Sequence, residues 1–234
     1  MNKLTKQLVA GSALGATALI AVPTAAVADE VSVNMGVVSQ YILRGGVESE
    51  VPALQGGIDY GMDSGAYLGS WWSTLSPTGY DTSTTEVDVY GGFAGEAGGF
   101  DYDIGVVYYY YHNGDSDSDM DSDNSMPELY FGGGMGPFGA TLYYAMDDGF
   151  ADEGDMYLEA GYGTDLPADF GFDITVGYAM PDDSELDANL TDTTLSLSYP
   201  MGDAEASVNY MAGGKDTADD DVDDQLWFGI GWAY

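Results

Sequence analysis

Apolar and polar residues alternate with a period of two along most of the chain, which is typical of β-strands. From Phe100 to Tyr110 every second residue is apolar or aromatic, and Asp101, Asp103 and Gly105 lie between them. The pattern predicts about twelve strands, most of them close to the ~9–11 residues that a tilted transmembrane strand needs. The predicted segments are 31–41, 53–60, 66–72, 86–94, 100–111, 126–133, 138–145, 156–164, 170–180, 191–200, 204–212 and 225–234.

The connections between these segments alternate between long and short. The long ones are 42–52, 73–85, 112–125, 146–155, 181–190 and 213–224, and the short ones are 61–65, 95–99, 134–137, 165–169 and 201–203. An even number of strands with tight turns at one end and long loops at the other is the layout of an outer-membrane barrel. The predicted fold is all-β: a transmembrane antiparallel up-and-down β-barrel of about 12 strands, with short periplasmic turns and long acidic extracellular loops.

The two faces of the predicted strands differ in charge and in aromatic content. Ten acidic residues fall on the less apolar face: Asp59, Glu86, Asp88, Asp101, Asp103, Glu128, Glu159, Asp173, Asp192 and Glu205. Aromatic residues band both ends of the apolar face, and the band beside the long loops is Tyr41, Tyr110, Tyr144, Tyr178 and Tyr210. Two aromatic bands suit the two interfaces of a bilayer, whereas a β-sandwich would bury such residues in mid-core. Segment 66–72 stays ambiguous, because Tyr67 and Trp71 share one face and Leu68 and Trp72 the other.

Charge and cysteine content exclude several classes of function. The 234-residue chain has 4 Lys and Arg against 40 Asp and Glu, a formal net charge of -36, and no Cys. A nucleic-acid partner is excluded because no basic surface exists to neutralise phosphates. Disulfides and cysteine metal sites are excluded as well. The hydrophobic content of 45% argues against a disordered chain.

The first 28 residues have the features of a secretory signal peptide. Two lysines precede an apolar run from Leu8 to Val22, and Ala26-Val27-Ala28 forms an A-x-A cleavage site. A membrane anchor is the alternative, but the apolar run is short for a transmembrane helix. We therefore predict a cleaved signal peptide over 1–28 and an outer-membrane β-barrel over 29–234.

The start of the predicted barrel carries a specific motif. The first strand runs into Ser39-Gln40-Tyr41-Ile42-Leu43-Arg44-Gly45, and Pro52-Ala53-Leu54-Gln55-Gly56 and Ser64-Gly65-Ala66-Tyr67-Leu68 follow. This pattern resembles the TorF-like porin family, a conserved proteobacterial family of outer-membrane barrels whose hallmark is S-x-Y-x-x-R-G. The family usually has Ser or Thr shortly after the R-G, and Val47-Glu48-Ser49 fits this loosely. The resemblance implies a location and a fold and names no substrate.

The last six residues, Gly229-Ile230-Gly231-Trp232-Ala233-Tyr234, place a glycine and two aromatic residues at the end of the chain. They look like the terminal signature that the barrel-assembly machinery reads, although Trp227 stands where that signature usually has a polar residue. The alternative is a plain amphipathic last strand. The sequence therefore predicts the barrel-assembly machinery as a partner that recognises Tyr234.

Residues on the inward face are candidates for the lining of a pore. A lumen of twelve strands is wider than that of an eight-stranded barrel and narrower than that of the 16–18-stranded porins. Rings of carboxylates favour cations. We predict a narrow, cation-preferring pore for small cationic or neutral solutes, lined by Asp59, Asp88, Asp103, Glu128, Glu159 and Arg44. The alternative is a lumen filled by its own side chains, since Tyr90, Tyr109, Tyr143 and Tyr157 also point inward.

Arg44 is the only arginine of the chain and follows the first predicted strand. Two roles are open. Arg44 pins a loop or shapes a constriction in the lumen, or it is a structural clamp to a nearby carboxylate such as Glu48 or Glu50. We prefer the clamp.

One long loop carries five aspartates at every second position: Asp115, Asp117, Asp119, Asp121 and Asp123. A calcium loop of the EF-hand type needs Gly at its sixth position and Glu at its twelfth. Counted from Asp115, these positions hold Met120 and Met126. We therefore expect weak attraction of divalent cations by these acidic loops, with no high-affinity metal site and no cofactor.

The sequence does not support an enzyme. The only histidine is His112, at the entrance of a loop, and a Ser-His-Asp arrangement would require it to meet an inward serine. Two alternatives to a pore remain. One is a closed structural or adhesive outer-membrane barrel, and the other is a secreted acidic β-protein that binds cations.

The long loops hold most of the acidic residues. Such loops repel lipopolysaccharide unless divalent cations bridge them or concentrated salt screens them. We therefore predict a protein of the Gram-negative cell outer membrane, in contact with its lipid and lipopolysaccharide and adapted to high salt.

Overall fold

A computed structural model of the chain describes residues 30–76, 83–113, 125–149 and 151–234. The predicted signal peptide and the aspartate run from Asp115 to Asp123 lie outside the described residues. The described residues form fourteen β-strands and a short 3-10 helix, Pro167–Asp169. Within these ranges, no helix is long and apolar enough to cross a membrane.

The strand bounds follow the predicted segments closely. The strands are β1 (Glu30–Val38), β2 (Tyr41–Leu43), β3 (Gly46–Ser49), β4 (Ala53–Gly61), β5 (Ala66–Thr74), β6 (Ser83–Ala97), β7 (Phe100–Asn113), β8 (Ser125–Met135), β9 (Phe138–Ala145), β10 (Met156–Asp165), β11 (Gly171–Met180), β12 (Asn189–Met201), β13 (Ala204–Gly213) and β14 (Gln225–Ala233). Each of the twelve predicted segments overlaps one long strand.

Twelve strands form a closed antiparallel barrel, in which β1 is followed by β4 and then by β5 to β14 in chain order. The barrel closes where β1 pairs with β14, with Asn34 opposite Ala233 and Val38 opposite Gly229. Strands β2 and β3 form a separate two-stranded sheet. The predicted all-β, up-and-down barrel of twelve strands is therefore confirmed.

The two ends of the barrel differ in their connections. Two residues join β6 to β7 and two join β8 to β9 at one end, which we call the turn end. At the other end, the loop end, eleven residues separate β13 from β14, from Gly214 to Asp224. The first and last barrel strands begin and finish at the turn end, because Asn34 pairs with Ala233 there.

Outward-facing residues form an apolar belt around the barrel. Their large side chains are about half exposed, for example Ile58 at 53%, Phe131 at 56% and Leu226 at 56%. In the ambiguous segment, Leu68 faces outward and is 53% exposed, whereas Tyr67 faces inward and is 5% exposed. Closure pairs the backbone of every barrel strand on both sides, as a lipid environment requires.

The first long connection is a hairpin rather than an open loop. The predicted strand 31–41 ends at Val38, and β2 and β3 then fold into the lumen from the loop end. Tyr41 was predicted to lie in the outer aromatic band, and this is wrong. It is 6% exposed and packs edge-on against Trp71 with ring centroids 5.7 Å apart. The two-residue period does not continue through Ser39 and Gln40, where the chain turns.

Two regions of the inward surface differ in packing. The loop-end core consists of buried, mostly large or charged residues: Glu86, Asp88, Tyr109, Met126, Glu128, Tyr143, Tyr157 and Trp227. The turn-end wall, on β8 to β13, consists of partly exposed and mostly small or acidic residues: Gly134, Gly139, Gly161, Gly163, Asp173, Ser198 and Glu205. The lumen is therefore filled near the loop end and more open along this wall.

Candidate functional site

Arg44 lies at the tip of the β2–β3 hairpin and reaches the opposite wall of the lumen. Its two terminal nitrogens donate hydrogen bonds to the two carboxylate oxygens of Glu128 on β8, both at 2.7 Å. The guanidinium also lies over the rings of Tyr143 and Tyr157, 4.4 and 4.8 Å from their centroids. The ion pair is largely buried, with side-chain exposures of 14% and 3%. This geometry ties the hairpin tip to β8.

The predicted clamp therefore has a different partner from the one suggested by sequence proximity. Glu48 and Glu50 lie four and six residues from Arg44, whereas Glu128 lies 84 residues away along the chain. The antiparallel β2–β3 pairing directs the tip away from its own base and across the lumen. The planar, forked guanidinium can donate to both carboxylate oxygens at once, whereas the single ammonium group of a lysine would not reproduce this two-point contact.

The hairpin tip has an unusual backbone. Arg44 and Gly45 both have positive φ, at +50° and +86°, and they connect the closing pair of Leu43 and Gly46. Two-residue hairpins favour this left-handed geometry, and glycine adopts it without cost. Arginine does so at some cost in strain, which a compensating interaction must offset. The Glu128 contact provides such an interaction.

The base of the hairpin packs against the other side of the lumen. Ile42 is 2% exposed and belongs to an apolar cluster with Met211 of β13 and Trp227 of β14, both fully buried. Tyr41 contacts Trp71 of β5 in the same cluster. The hairpin thus crosses the loop half of the lumen, with its base on β13, β14 and β5 and its tip on β8.

The S-x-Y-x-x-R-G motif has a structural explanation at this hairpin. The Ser39 N–H donates to the Phe228 carbonyl at 2.8 Å, and the Ser39 hydroxyl accepts from the Phe228 N–H at 3.0 Å. These bonds attach the chain to β14 where it leaves β1. Tyr41 then fills the space beside Trp71, and Arg44 and Gly45 form the tip.

All five predicted acidic lining residues lie on the inward face, but most are engaged in hydrogen bonds. Tyr90 donates to Asp59, and Tyr67 donates to Asp103 at 2.7 Å. Tyr67 also bonds the hydroxyl of Tyr130. Glu128 holds Arg44, and the fully enclosed Glu159 and Asp88 lie at 2% and 6% exposure. The structure brings Arg44, Asp88 and Glu128 together, and it places Asp59 and Asp103 in separate tyrosine pairs.

Two further acids belong to this interior and were not among the predicted lining residues. Asp192 on β12 accepts hydrogen bonds from Tyr157 and Thr191, both at 2.9 Å. Glu86 on β6 is completely buried. The inward periodicity of β6 and β12 placed both on the polar face, but periodicity does not reveal which inward residues are enclosed by the hairpin.

A cavity of about 260 Å³ lies at the loop end beside the hairpin. Its lining combines Arg44, Glu48 and Glu128 with the apolar side chains of Met156 and Met180. Carboxylates outnumber cationic groups in this lining, which favours a cation over an anion.

The described residues give little support to a metal centre or a hydrolytic site. They contain no group of three or more His, Cys, Asp and Glu side chains arranged to hold a metal ion. His112 lies near the end of β7 beside Tyr110, with ring centroids 6.5 Å apart, on the outward face. A Ser-His-Asp arrangement would require this histidine to meet an inward serine, so its outward position does not favour a hydrolase.

A family model described as "Bacterial protein of unknown function (Gcw_chp)" matches residues 23–230. No curated protein is significantly similar in sequence. The match carries no TorF designation, so membership of the TorF-like family stays a prediction.

Solved structures with a similar fold include outer-membrane barrels. The KdgM porin has a TM-score of 0.54 and 11% sequence identity, with 87% of this chain and 98% of that chain covered. The KdgM porin in complex with disordered oligogalacturonate gives a TM-score of 0.54 and 12% identity over the same shares, 87% and 98%. The outer membrane phospholipase A from Escherichia coli is less similar, with a TM-score of 0.43, 15% identity and coverage of 87% and 92%. At these identities the likeness to KdgM shows the fold alone.

Proposed function

Since the chain belongs to the Gcw_chp family of bacterial proteins of unknown function, we propose a function from its own geometry: a porin of the outer membrane, with a narrow, cation-preferring pore. The observation that carries the proposal is a closed twelve-stranded barrel with an apolar outside and an acidic inside. Small cationic or neutral solutes are the proposed cargo, and Asp59, Asp88, Asp103, Glu128, Glu159 and Arg44 are the proposed lining.

The outer belt supports a membrane location. Half-exposed residues such as Val31, Phe131 and Leu226 follow one another around the barrel wall. A contiguous apolar surface of this kind is unfavourable in water and typical of a surface that meets lipid. A secreted acidic β-protein, the rival hypothesis, has no use for such a belt.

Interior charge supports cation preference. In the described lumen Arg44 is engaged by Glu128, while Asp88, Glu159 and Asp192 add further carboxylates. Acidic linings attract cations and repel anions. The oligogalacturonate of the KdgM complex is an acidic sugar chain, and the lumen of the present protein would repel such a ligand.

A closed structural or adhesive barrel is the second candidate, and the loop-end core favours it. The hairpin crosses the lumen there, and the side chains of Trp227, Met126 and Glu86 are fully buried. In this conformation the hairpin is the constriction. Conduction would use the narrow space beside it or a displacement of its tip from Glu128.

Planar-bilayer recording of the purified barrel tests the pore proposal. We expect a small single-channel conductance. In a KCl gradient, the reversal potential should have the sign of the K⁺ equilibrium potential, as for a cation-selective pore. A variant in which residues 41–49 are replaced by a short Gly-Ser linker should conduct more, because the constriction is gone. Anion selectivity in both proteins contradicts the proposal, and absence of conductance in both favours the closed barrel.

The compartment is a separate proposal. We infer cleavage after Ala28, insertion by the barrel-assembly machinery through Tyr234, and contact with lipopolysaccharide through divalent cations at the acidic loops. Cell fractionation with heat-modifiable migration in detergent tests this location. Recovery of the protein in the soluble periplasmic or culture fraction would support the secreted alternative.

A further inference from the structure

Four carboxylates lie on the hairpin or on the barrel wall around it in the loop half of the lumen, and they share one cationic side chain. Glu86 and Asp88 lie on β6, Glu128 on β8 and Glu48 on the hairpin strand β3, and they act on one another electrostatically. Arg44 is the cation, and both of its terminal nitrogens are bound to Glu128. The group therefore has an excess of negative charge.

Glu86 and Asp88 are the two members of this group whose charge is least compensated. They are two residues apart on the inward face of β6, with exposures of 0% and 6%. Both carboxylate oxygens of Glu86 and one of Asp88 are enclosed without a hydrogen-bond partner of good geometry among the described residues. The hydroxyls of Tyr41 and Tyr111 lie beside Glu86. These groups are neutral, so they leave the charge uncompensated.

Among the described residues, no second cationic side chain lies beside these two carboxylates. Apart from Arg44, the chain has three lysines, Lys3, Lys6 and Lys215, and one histidine, His112, which lies beside Tyr110 on the outward face of β7. Lys215 is exposed in the last long loop and is paired there with Asp221 at 3.0 Å. Both remaining lysines fall in the predicted signal peptide. Buried charge without compensation is strongly unfavourable, so the compensation must come from outside the chain.

We propose that Glu86 and Asp88 bind a hard divalent cation of the calcium class in the lumen, beneath the hairpin. Oxygen atoms are the ligands that calcium prefers, and it accepts carboxylates, neutral oxygens and water in flexible geometry. Two carboxylates, the nearby phenol hydroxyls and water provide such a set. Because the described residues offer no group of three or more metal-ligating side chains and calcium affinity depends on the number of charged ligands, we expect two carboxylates to give moderate affinity.

The cavity beside the hairpin reaches Glu48, the hairpin carboxylate of this group, although Glu86 and Asp88 themselves do not line it. Glu48 lines that cavity together with Arg44 and Glu128, and it acts electrostatically on both Glu86 and Asp88. Because Glu48 belongs to β3 and the two other carboxylates to β6, a cation here joins the hairpin to the barrel wall. The site holds the hairpin in place whether or not the barrel conducts, so this inference goes beyond the pore proposal.

Terbium luminescence of the folded barrel in detergent tests the site directly, because Tb³⁺ replaces Ca²⁺ and is excited through neighbouring tyrosines such as Tyr41 and Tyr111. We expect a tyrosine-sensitised signal that Ca²⁺ displaces and that Na⁺ at equal ionic strength does not. The double variant Glu86→Gln/Asp88→Asn should lose it. The matched control Asp173→Asn/Glu205→Gln removes two inward acids of the turn-end wall and should keep it.

Thermal unfolding provides the second measurement. At about 100-fold excess over its Kd, Ca²⁺ should raise the Tm of the chelator-treated protein by roughly 5–10 °C above an equal ionic strength of choline chloride. The double variant should lose this shift. Its own Tm without Ca²⁺ should not fall below that of the wild type, because the repulsion between the two carboxylates is removed.

An equal Tm of the wild type in Ca²⁺ and in choline overturns the proposal and indicates that protons compensate the two carboxylates. An unchanged terbium signal in the double variant overturns it as well. If the double variant does not fold, the single variant Glu86→Gln and the wild-type terbium titration decide.

Discussion

The loop-end core and the turn-end wall share strands β8 to β10 and the same two-residue period, yet their interiors are opposite in character. In the loop-end core, inward residues such as Tyr157, Glu128 and Trp227 are at most 6% exposed. In the turn-end wall, the corresponding inward positions hold residues such as Gly161, Gly139 and Ser198, and they are partly exposed. Side-chain volume, together with the hairpin that enters from the loop end, therefore decides where the lumen is filled.

The difference also concerns polar partners. The loop-end core encloses charged groups in a space of low polarity, where each needs a partner of its own. The Arg44–Glu128 pair and the Tyr157–Asp192 bond meet this need. Carboxylates of the turn-end wall, such as Asp173 and Glu205, are half-buried and retain access to solvent. Substitutions in the two regions should therefore differ in cost.

The largest effect is expected from Arg44→Ala. The substitution leaves Glu128 buried without its cation, and breaking a buried pair in this way costs about 3–5 kcal/mol of the free energy of unfolding. Denaturant unfolding in detergent measures the loss. Removing the charge as well, in Arg44→Ala/Glu128→Gln, should restore part of the stability. A loss no greater than that of Asp173→Asn would contradict the contrast between the two regions.

A smaller effect is expected from Tyr157→Phe. The substitution removes the hydroxyl that donates to Asp192 at 2.9 Å in a buried site. Hydrogen bonds to charged groups contribute about 1.5–3 kcal/mol, so the free energy of unfolding should fall by that amount. Tyr144→Phe is the matched control, because Tyr144 faces outward and is 41% exposed. Equal stability of the two variants would show that the inward hydroxyl is dispensable.

Two glycine substitutions compare how much room each region has for an added methyl group. A Cβ at Gly177 would approach the Tyr157 hydroxyl and the Asp192 carboxylate closer than atoms can pack, so Gly177→Ala should cost about 1–3 kcal/mol. A Cβ at Gly139 meets its nearest atom at 3.8 Å, and Gly139→Ala should be neutral or stabilise by up to about 1 kcal/mol. Unfolding midpoints of the two variants in the same detergent check this. A larger loss at Gly139 would reverse the assignment of the packed region.

Much of the fold follows from local pattern. The alternation in segment 138–145 predicted β9 with the same bounds, and every other predicted segment overlaps a barrel strand. Turn and loop lengths predicted the closed, up-and-down order. The pattern failed at Ser39 and Gln40, since a period of two cannot indicate whether a chain continues along the barrel or turns into it. The hydrogen bonds of Ser39 to Phe228, 189 residues away, decide this.

The candidate site was predictable in part. Charge balance and inward periodicity pointed to Arg44, Asp88 and Glu128 as members of the lumen. They could not identify Glu128 as the partner of Arg44, because four strands lie between the hairpin and β8 along the sequence. Nor could they separate Asp103, which accepts a hydrogen bond from Tyr67, from Glu86, whose carboxylate oxygens have no partner of good hydrogen-bond geometry among the described residues. Distances across a lumen depend on closure, which no local pattern records.

The sequence by itself determined the two faces of most barrel strands and the alternation of turns and loops, because these depend on neighbours along the chain, and its composition determined the excess of negative charge. The tertiary structure alone decided that the Tyr41 to Ser49 hairpin enters the lumen, that Tyr67 faces inward and Leu68 outward, and that Arg44 meets Glu128. These outcomes depend on which strands the closed barrel sets opposite one another and on the volume of the side chains between them.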